Sequence, residues 1–350
     1  MSVIMSDNDN YVMRLVQRAT SSETIEGKRC FACGGTPSTG QGEHVVPLWL
    51  QRRFGLLDQR LTLLNGTLLP YRQLTAPCCQ ACNNGFLRDI ENRVIEILDR
   101  SGEFTDADRL ILARWLCKMF LGILVKESSL AFDRRDPSKG SIVPPALLKE
   151  FHHAQLLLQS TRKQTVFRCL HGAFPCTIYA YRILDVAEFG NFYLTTHLGG
   201  QSIAVRVGNI GMIFVNDGGL QMHVGDKGPM ALDGLELHPL QFLEVAARAH
   251  YKASLRDATH QYTLSENPTL LSVEQVSVSP LSRTKLPSGE MQVFRPWQDA
   301  ECAELLAHYC GGQVKDIYDE KDGGLGTILV DSDGILLPPE QFLRSTPIGG

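Results

Sequence analysis

The sequence contains no hydrophobic run long enough to cross a membrane. Its most apolar stretch, residues 110–125, has only 16 residues and includes Arg114 and Lys118. Because a spanning helix needs about 20 consecutive apolar residues, this stretch predicts a buried helix of a protein interior. The N-terminus also lacks the basic and apolar segments of a secretory signal peptide. We therefore expect a cytoplasmic protein without membrane contact.

The chain also has no excess of basic residues. Its net charge is −4 and its pI is about 6.2, so no overall positive field attracts nucleic acid or anionic lipid. A polyanion would have to meet a local basic patch. Internal repeats and long low-complexity tracts are absent, and the glycines do not follow the Gly-x-Gly-x-x-Gly order of a nucleotide-binding loop. With 43% hydrophobic and 21% charged residues, the chain has the composition of a globular protein of two or three domains.

Cysteine is the residue type that stands out. The chain has ten cysteines, and five of them lie between residues 30 and 82. Four form two Cys-x-x-Cys pairs, in which a single turn brings two thiolates together, and Zn²⁺ binds four such ligands in a tetrahedron. Without an export signal, clustered cysteines favour a metal over disulfides. We predict a structural zinc ion bound by Cys30, Cys33, Cys79 and Cys82.

The fifth cysteine of the cluster, Cys78, leaves two possibilities open. It packs as a small apolar residue, or it competes with Cys79 for the ligand position, although the spacing to Cys82 favours Cys79. The alternatives for the whole cluster are buried thiols or a redox pair. A redox motif would not need the second pair.

Periodicity predicts a helical first half and a β-rich second half. Residues 1–27 read as a loose arm or short helix, and residues 105–129 as a long helix with Thr105 as its N-cap. A second helix is predicted over 144–160, beginning with two prolines. After residue 164, short β-rich runs alternate with turn residues, helices are predicted over 238–257 and 297–310, and a hairpin is predicted through residues 332–334.

These patterns predict an α+β protein with four parts. The predicted boundaries are an N-terminal arm over 1–27, a zinc-stapled module over 28–100, a helical connector over 101–163, and a mixed α+β region over 164–350.

A second polar motif lies between the two cysteine pairs. Glu43 and His44 precede two valines and Pro47, which predicts a short strand that ends in a turn, and Asn83 follows Cys82 directly. The order Cys-x-x-Cys, Glu-His-Val-Val-Pro, Cys-x-x-Cys-Asn resembles the HNH, or ββα-metal, endonucleases, in a form similar to a bacterial and phage branch. The resemblance covers roughly residues 28–100, under a quarter of the chain.

The resemblance implies a role for each matched residue. His44 corresponds to the general base that deprotonates the attacking water. Glu43 and Asn83 correspond to ligands of the catalytic divalent ion, Mg²⁺ or Mn²⁺. The four cysteines correspond to the separate structural zinc of many members. Such chemistry is reasonable, because a hard cation neutralises a phosphodiester and imidazole titrates near neutral pH.

One position departs from the family pattern. The middle Asn of the family usually lies a few residues before the second cysteine pair, where this chain reads Tyr-Arg-Gln-Leu-Thr-Ala-Pro. Asn65 is too far upstream, and Gln73 is a possible replacement. Residues 48–76 are also longer than a compact module needs, which predicts an inserted loop.

Local charge agrees with a nucleic-acid partner. Residues 28–100 contain nine lysines and arginines against six acidic residues, so they carry +3 while the whole chain carries −4. We predict contacts to phosphate from Arg52, Arg53, Arg72 and Arg88, with a solvated arginine pair as the alternative for the first two. Glu91 either buttresses the site or simply caps a salt bridge.

The sequence therefore favours a metal-dependent HNH endonuclease that acts on DNA. The region after residue 164 would target it, regulate it, or bind a regulatory protein or a second copy of the chain, in genome defence or mobile-element biology. The alternative is a non-catalytic zinc module that recognises nucleic acid or a protein partner. A third option is an RNA-cutting toxin, because the site chemistry does not distinguish the sugars.

Overall fold

The structure, a computed structural model, describes residues 10–38, 40, 42–170, 174–223, 229, 232–282, 292–319, 324–331, 335 and 337–339. It is a mixed α+β protein, as the sequence predicts. The predicted hairpin turn at 332–334 and the first nine residues of the predicted arm lie outside the described residues. Within the described part, no helix is both long and apolar enough to cross a membrane.

The described part contains the following elements. The helices are α1 (Tyr11–Ala19), α2 (Ser22–Glu26), α3 (Leu48–Arg53), α4 (Gln80–Cys82), α5 (Arg88–Leu98), α6 (Asp106–Ser128), α7 (His152–Gln159), α8 (Leu220–His223), α9 (Pro239–Ser254), α10 (Asp299–Cys310) and α11 (Val314–Ile317). The strands are β1 (Glu43–His44), β2 (Arg60–Thr62), β3 (Leu68–Pro70), β4 (Thr75–Ala76), β5 (Gln164–Arg168), β6 (Thr177–Ile183), β7 (Phe192–His197), β8 (Ser202–Val207), β9 (Ile210–Val215), β10 (Glu236–Leu237), β11 (Ala258–Glu266), β12 (Leu270–Pro280), β13 (Tyr318–Asp319) and β14 (Gly324–Leu325).

The long helix α6 lies at the centre of the molecule. Thr105 is its N-cap, as predicted, and forms a capping box with Asp108 in which each side chain binds the other residue's backbone N–H. Apolar residues cover all sides of the helix, and most of its residues are buried. A helix that is hydrophobic all round must be surrounded by other elements, and α6 contacts both the cysteine-rich module and the main sheet.

The main sheet has five strands in the order β10-β6-β9-β8-β7. Strand β10 runs parallel to β6, and the other neighbours are antiparallel, with Val205 of β8 opposite Met212 of β9. Alternating side chains cover its two faces. Ile203 and Val205 belong to the same hydrophobic cluster as α6, whereas Ala204 belongs to the cluster of α9. The sheet is therefore a layer between these two helices.

The hydrophobic cluster around α6 contains residues from several of the four parts that the sequence predicts. It contains Cys30 and Val45 of the module, Trp115 and Phe120 of α6, and Ile178 of the sheet. The module therefore rests on the helix that also supports the sheet, and this contact places the polar residues of the module beside α6.

Some elements differ from the sequence predictions. The helix predicted over 144–160 begins as a 3₁₀ helix, Pro145–Phe151, and becomes α-helical only at His152. The sequence reading missed β11, which pairs with β12 along its whole length. The sequence also predicts a strand over residues 290–296, and the described residues of this run contain an isolated bridge from Phe294 to Arg256 in its place.

Candidate functional site

The four predicted zinc ligands form one cluster. The sulfur atoms of Cys30, Cys33, Cys79 and Cys82 all lie within 4.8 Å of one another, and those of Cys33 and Cys79 are 3.7 Å apart. A tetrahedron of sulfurs at about 2.3 Å from zinc has edges of about 3.8 Å, so the spacing fits such an ion. Among the described residues, no other group of three or more His, Cys, Asp or Glu side chains is packed this closely. The cluster can hold a metal ion such as zinc.

Two tight turns bring the sulfurs together. The carbonyl of Cys30 accepts hydrogen bonds from the backbone N–H groups of Cys33 and Gly34, and the carbonyl of Cys79 accepts those of Cys82 and Asn83. Gly34 has a φ of +66°, and a Cβ there would lie 2.9 Å from Cβ of Arg18. Glycine is therefore required for this turn by conformation and by space.

Groups outside the cluster bind its sulfurs. Arg162 donates a hydrogen bond to Sγ of Cys82 at 3.0 Å, and its guanidinium lies 4.0 Å from the ring centre of Phe86. The backbone N–H of Gly35 donates to Sγ of Cys33 at 3.4 Å. Donors of this kind compensate the negative charge of metal-bound thiolates.

The structure distinguishes the two neighbouring cysteines. Cys79 belongs to the group of four. Cys78 is buried in the hydrophobic cluster around α6, although its sulfur is 3.9 Å from that of Cys30. This arrangement agrees with the first of the two possibilities, in which Cys78 packs as a small apolar residue.

A polar cavity of about 230 Å³ opens beside the cysteine cluster. Strand β1 supplies Glu43 and His44, paired with Ala76 and Thr75 of β4. The predicted third residue, Asn83, lines the same cavity. The complete lining is Gly42, Glu43, His44, Pro47, Leu48, Asn83, Asn84, Arg88 and Glu91. The fold thus brings together three predicted residues that are up to 40 positions apart in the sequence.

An irregular helix presents the asparagines to this cavity. Residues 83–87 form a π-helical turn between α4 and α5, interrupted at Gly85, whose φ of −97° and ψ of −123° are not helical. Such turns inside helices occur frequently at functional sites. Here the irregularity lies between the last cysteine and Arg88, so the same turn joins the metal cluster to the cavity.

Sequence reasoning missed the lysine of the site. Lys118 of α6 is fully buried, and its Nζ forms ion pairs with Glu43 and Glu91. A signal was present, because a lysine within an apolar helix is almost never buried without a partner. The sequence alone did not indicate which acidic residues were the partners. Glu91 therefore forms a salt bridge, as one of the two alternatives predicts, and this ion pair is buried beside the cavity.

Burial and charge set the protonation of these groups. Nδ1 of His44 is buried and has no hydrogen-bond partner among the described residues. Burial lowers the pKa of His44 below its ordinary value, and the Lys118 ammonium lowers it further. Burial also disfavours the charge on Lys118, but the carboxylates of Glu91 and Glu43 outweigh this effect and raise the pKa of Lys118. At neutral pH the imidazole is therefore neutral and the amine is charged.

The four predicted phosphate-binding arginines fall into two pairs. Arg53 binds Asp99 at 2.9 Å, and Arg72 forms an ion pair with Asp58. Arg52 and Arg88 are exposed and have no ion-pair partner among the described residues, and Arg88 lines the cavity. Arg52 and Arg88 are thus the two that retain an uncompensated charge.

Neither Gln73, the predicted replacement for the middle Asn, nor Asn65, judged too far upstream, is among the residues that line the cavity. Asn65 binds the carbonyl of Phe132 and the N–H of Thr67, in the turn between β2 and β3. Gln73 is exposed at the end of a 3₁₀ turn and is not among the lining residues. Asn84, next to Asn83, does line the cavity. The predicted inserted loop contains α3 and the β2–β3 hairpin.

Comparison with known proteins does not identify a family. No protein-family model matches the chain, and neither a curated protein nor a solved structure matches it. The function must therefore be inferred from the chemistry of the site.

Proposed function

We propose that this protein is a metal-dependent endonuclease of the HNH, or ββα-metal, kind that hydrolyses phosphodiester bonds of DNA. The observation that carries the proposal is the cavity that contains Glu43, His44 and Asn83 directly beside the four-cysteine cluster. Zinc at the cysteines would hold α4 and the π turn against β1, and would thereby fix the position of Asn83 relative to His44.

His44 is the proposed general base. Its lowered pKa keeps the imidazole neutral near pH 7, which is the form that accepts a proton from water. A phosphodiester is anionic and repels hydroxide, so a base that takes the proton from the attacking water as it reacts assists the hydrolysis. Because Nδ1 has no partner among the described residues, the ring is not committed to a structural hydrogen bond at that atom.

Oxygen donors for a catalytic ion are present in the same cavity. The carboxylate of Glu43 and the side-chain amide oxygen of Asn83 are the hard ligands that would hold Mg²⁺ or Mn²⁺. When bound, such an ion would neutralise charge on the phosphate and stabilise the leaving oxygen. Arg88 at the cavity edge and Arg52 on α3 would contact phosphate groups of the backbone.

The region after residue 164 would direct or restrain this activity. A nuclease of low specificity harms its own cell, and the module shares a continuous hydrophobic cluster with the sheet of that region. Targeting to a nucleic acid, a regulatory partner or a second copy of the chain, in genome defence or mobile-element biology, are the roles that we propose for it. RNA remains an alternative substrate.

The test is cleavage of supercoiled plasmid DNA by purified protein with Mg²⁺ or Mn²⁺. We expect the wild type to nick the plasmid and His44→Ala to lose at least about a hundredfold in rate, the lower end of typical general-base contributions. His308→Ala is the matched control, because His308 is an exposed histidine at the end of α10 and its loss should leave the rate unchanged. Equal cutting by the wild type and His44→Ala, with zinc content preserved in both, would refute the assignment. A parallel assay on single-stranded RNA separates the two substrates.

A non-catalytic zinc module is the second candidate, and one contact favours it. The proposed metal ligand Glu43 already forms an ion pair with the buried Lys118, so its carboxylate already has a cation as partner. In this reading the module binds DNA through Arg52 and Arg88 without cutting it. Binding of a DNA duplex that stays intact in Mg²⁺, Mn²⁺, Ni²⁺ and Zn²⁺, and that weakens in Arg88→Ala, would decide for this candidate.

A further inference from the structure

Two carboxylates beside the cavity converge on one nitrogen. Glu43 lies on β1 and Glu91 on α5, and each turns its Oε1 toward Nζ of Lys118. The lysine side chain is fully buried, and those of Glu43 and Glu91 are 10% and 17% exposed. Three separate elements, β1, α5 and α6, thus meet at a single buried positive charge.

The net charge of this cluster affects how strongly it attracts a divalent ion. Two carboxylates and one ammonium sum to −1, whereas the carboxylates alone would carry −2. A divalent ion is attracted to two converging carboxylate oxygens more strongly than to a pair already shared with an ammonium. In a buried site this difference is weakly screened by salt.

We propose that Lys118 occupies the position of a cation between Glu43 and Glu91 and thereby sets the affinity of the site for a divalent ion. The inference rests on the proposed function, which places a catalytic ion at Glu43, and adds Glu91 as a second carboxylate ligand. Lys118 is a positioning residue in this scheme: it holds both carboxylates in place and lowers the affinity of the free protein for metal. Bound DNA phosphate supplies the negative charge that offsets the lysine, so the ion binds firmly only together with substrate.

The test is binding of Mn²⁺ to the full-length, zinc-containing protein, measured from the electron paramagnetic resonance signal of free Mn²⁺. Lys118→Met keeps the length of the side chain and removes its charge, and we expect it to bind Mn²⁺ at least tenfold more tightly than the wild type. The matched control is Lys118→Met combined with Glu91→Gln, which restores a net charge of −1. We expect this double variant to bind Mn²⁺ within about threefold of the wild type. In the wild type, a short DNA duplex should increase the Mn²⁺ affinity at least tenfold, and it should do so less in Lys118→Met.

Folding of the variants is followed by circular dichroism with and without Mn²⁺. If Lys118→Met is unfolded alone and folds when Mn²⁺ is added, the ion has replaced the ammonium and the inference stands. A folded Lys118→Met with wild-type Mn²⁺ affinity, or a variant that Mn²⁺ does not refold, would overturn it.

The outcome is separable from that of the proposed function. Tighter Mn²⁺ binding by Lys118→Met in a protein that never cuts DNA would keep the metal site and reject the nuclease. Cleavage that depends on His44, together with unchanged Mn²⁺ affinity in Lys118→Met, would keep the nuclease and reject this role of the lysine.

Discussion

Helix α6 packs against Val45, the residue after His44, at Gly122, and replacement of this glycine by alanine tests how tightly the two residues are packed. A Cβ at this position would lie 2.8 Å from Cγ2, 3.0 Å from Cγ1 and 3.4 Å from Cβ of Val45. Val45 directly follows His44 and is only 1% exposed. Its β-branched side chain is restricted at χ1 and has no solvent to move into, so backbone or neighbouring atoms must shift.

Two contributions of opposite sign decide how Gly122→Ala changes the free energy of unfolding. Alanine in place of glycine inside a helix stabilises by about 1 kcal/mol through helix propensity. Forcing a methyl group into a filled core costs about 1–3 kcal/mol. The contact distance of 2.8 Å is shorter than real Cβ atoms tolerate, so we expect the second effect to prevail and Gly122→Ala to lower the free energy of unfolding by about 1 kcal/mol.

Repeating the substitution in a Val45→Ala background makes the test more specific. Val45→Ala removes the two γ carbons that the new methyl group would meet and costs about 2 kcal/mol by itself. In that background the nearest remaining contact of the new Cβ is the 3.4 Å distance to Cβ of residue 45, which is tolerable. Gly122→Ala should then stabilise by about 1 kcal/mol. The sign of the same substitution therefore reverses between the two backgrounds.

The assay is urea unfolding of the four proteins of this cycle, followed by tryptophan fluorescence. Trp115 reports on the region, because it lies on α6 and is completely buried. A coupling of about 2 kcal/mol between the two sites is expected, within the range for residues in contact. Additive effects, or stabilisation by Gly122→Ala in the wild-type background, would show that α6 is not packed against Val45 as described.

Two further predictions concern the metal and the pH. Purified protein should contain one zinc ion per chain. Cys79→Ala should lose this ion and Cys78→Ala should retain it, since of these two residues only Cys79 belongs to the group of four sulfurs. Elemental analysis measures the zinc content of each variant, and equal contents in the two would contradict the ligand assignment. Acid should destabilise the fold through His250, because burial lowers the pKa of His250 from 6.5 to about 3. The unfolded chain takes up the proton below its ordinary pKa and the folded chain does not, so stability present above pH 6.5 is lost as the pH falls toward 3, by up to about 1.4 kcal/mol per pH unit. His250→Asn, which keeps an acceptor or donor near Oγ of Ser202, should flatten this slope in urea unfolding at pH 4.5 to 7, and an unchanged slope would exclude His250 as its origin.

Short-range sequence patterns were sufficient to predict several features of the structure. Thr105 followed by Asp108 and an apolar run predicted the beginning of α6, since capping chemistry involves neighbouring residues only. The helix that ends before Gly311 was predicted for the same reason, and its glycine has a φ of +73°. The four cysteines that can hold a metal ion could also be predicted, because each pair closes within one turn.

Other features depended on contacts between distant segments. Glu91 gave no local sign of its partner, which lies 27 residues away on another helix. For Cys78 and Cys79, the spacing to Cys82 favoured Cys79 as the ligand, and the fold added that Cys78 is buried in the hydrophobic cluster around α6. Strand β11 was missed because its pairing with β12 is what makes it a strand, and strand propensity depends on such neighbours.

The sequence by itself determined the helices with their caps, the zinc-type cysteine pairs and the presence of a Glu-His and an Asn motif, because all of these are encoded within a few neighbouring residues. The tertiary structure decided that Glu43, His44 and Asn83 line one cavity, and that the buried Lys118 pairs with Glu43 and Glu91. The physical reason is that packing of α6 against both the module and the sheet sets the distances between these residues, and sequence periodicity does not encode those distances. A lysine in an apolar helix indicates that an acidic partner exists, but only the fold determines which carboxylates form the ion pair.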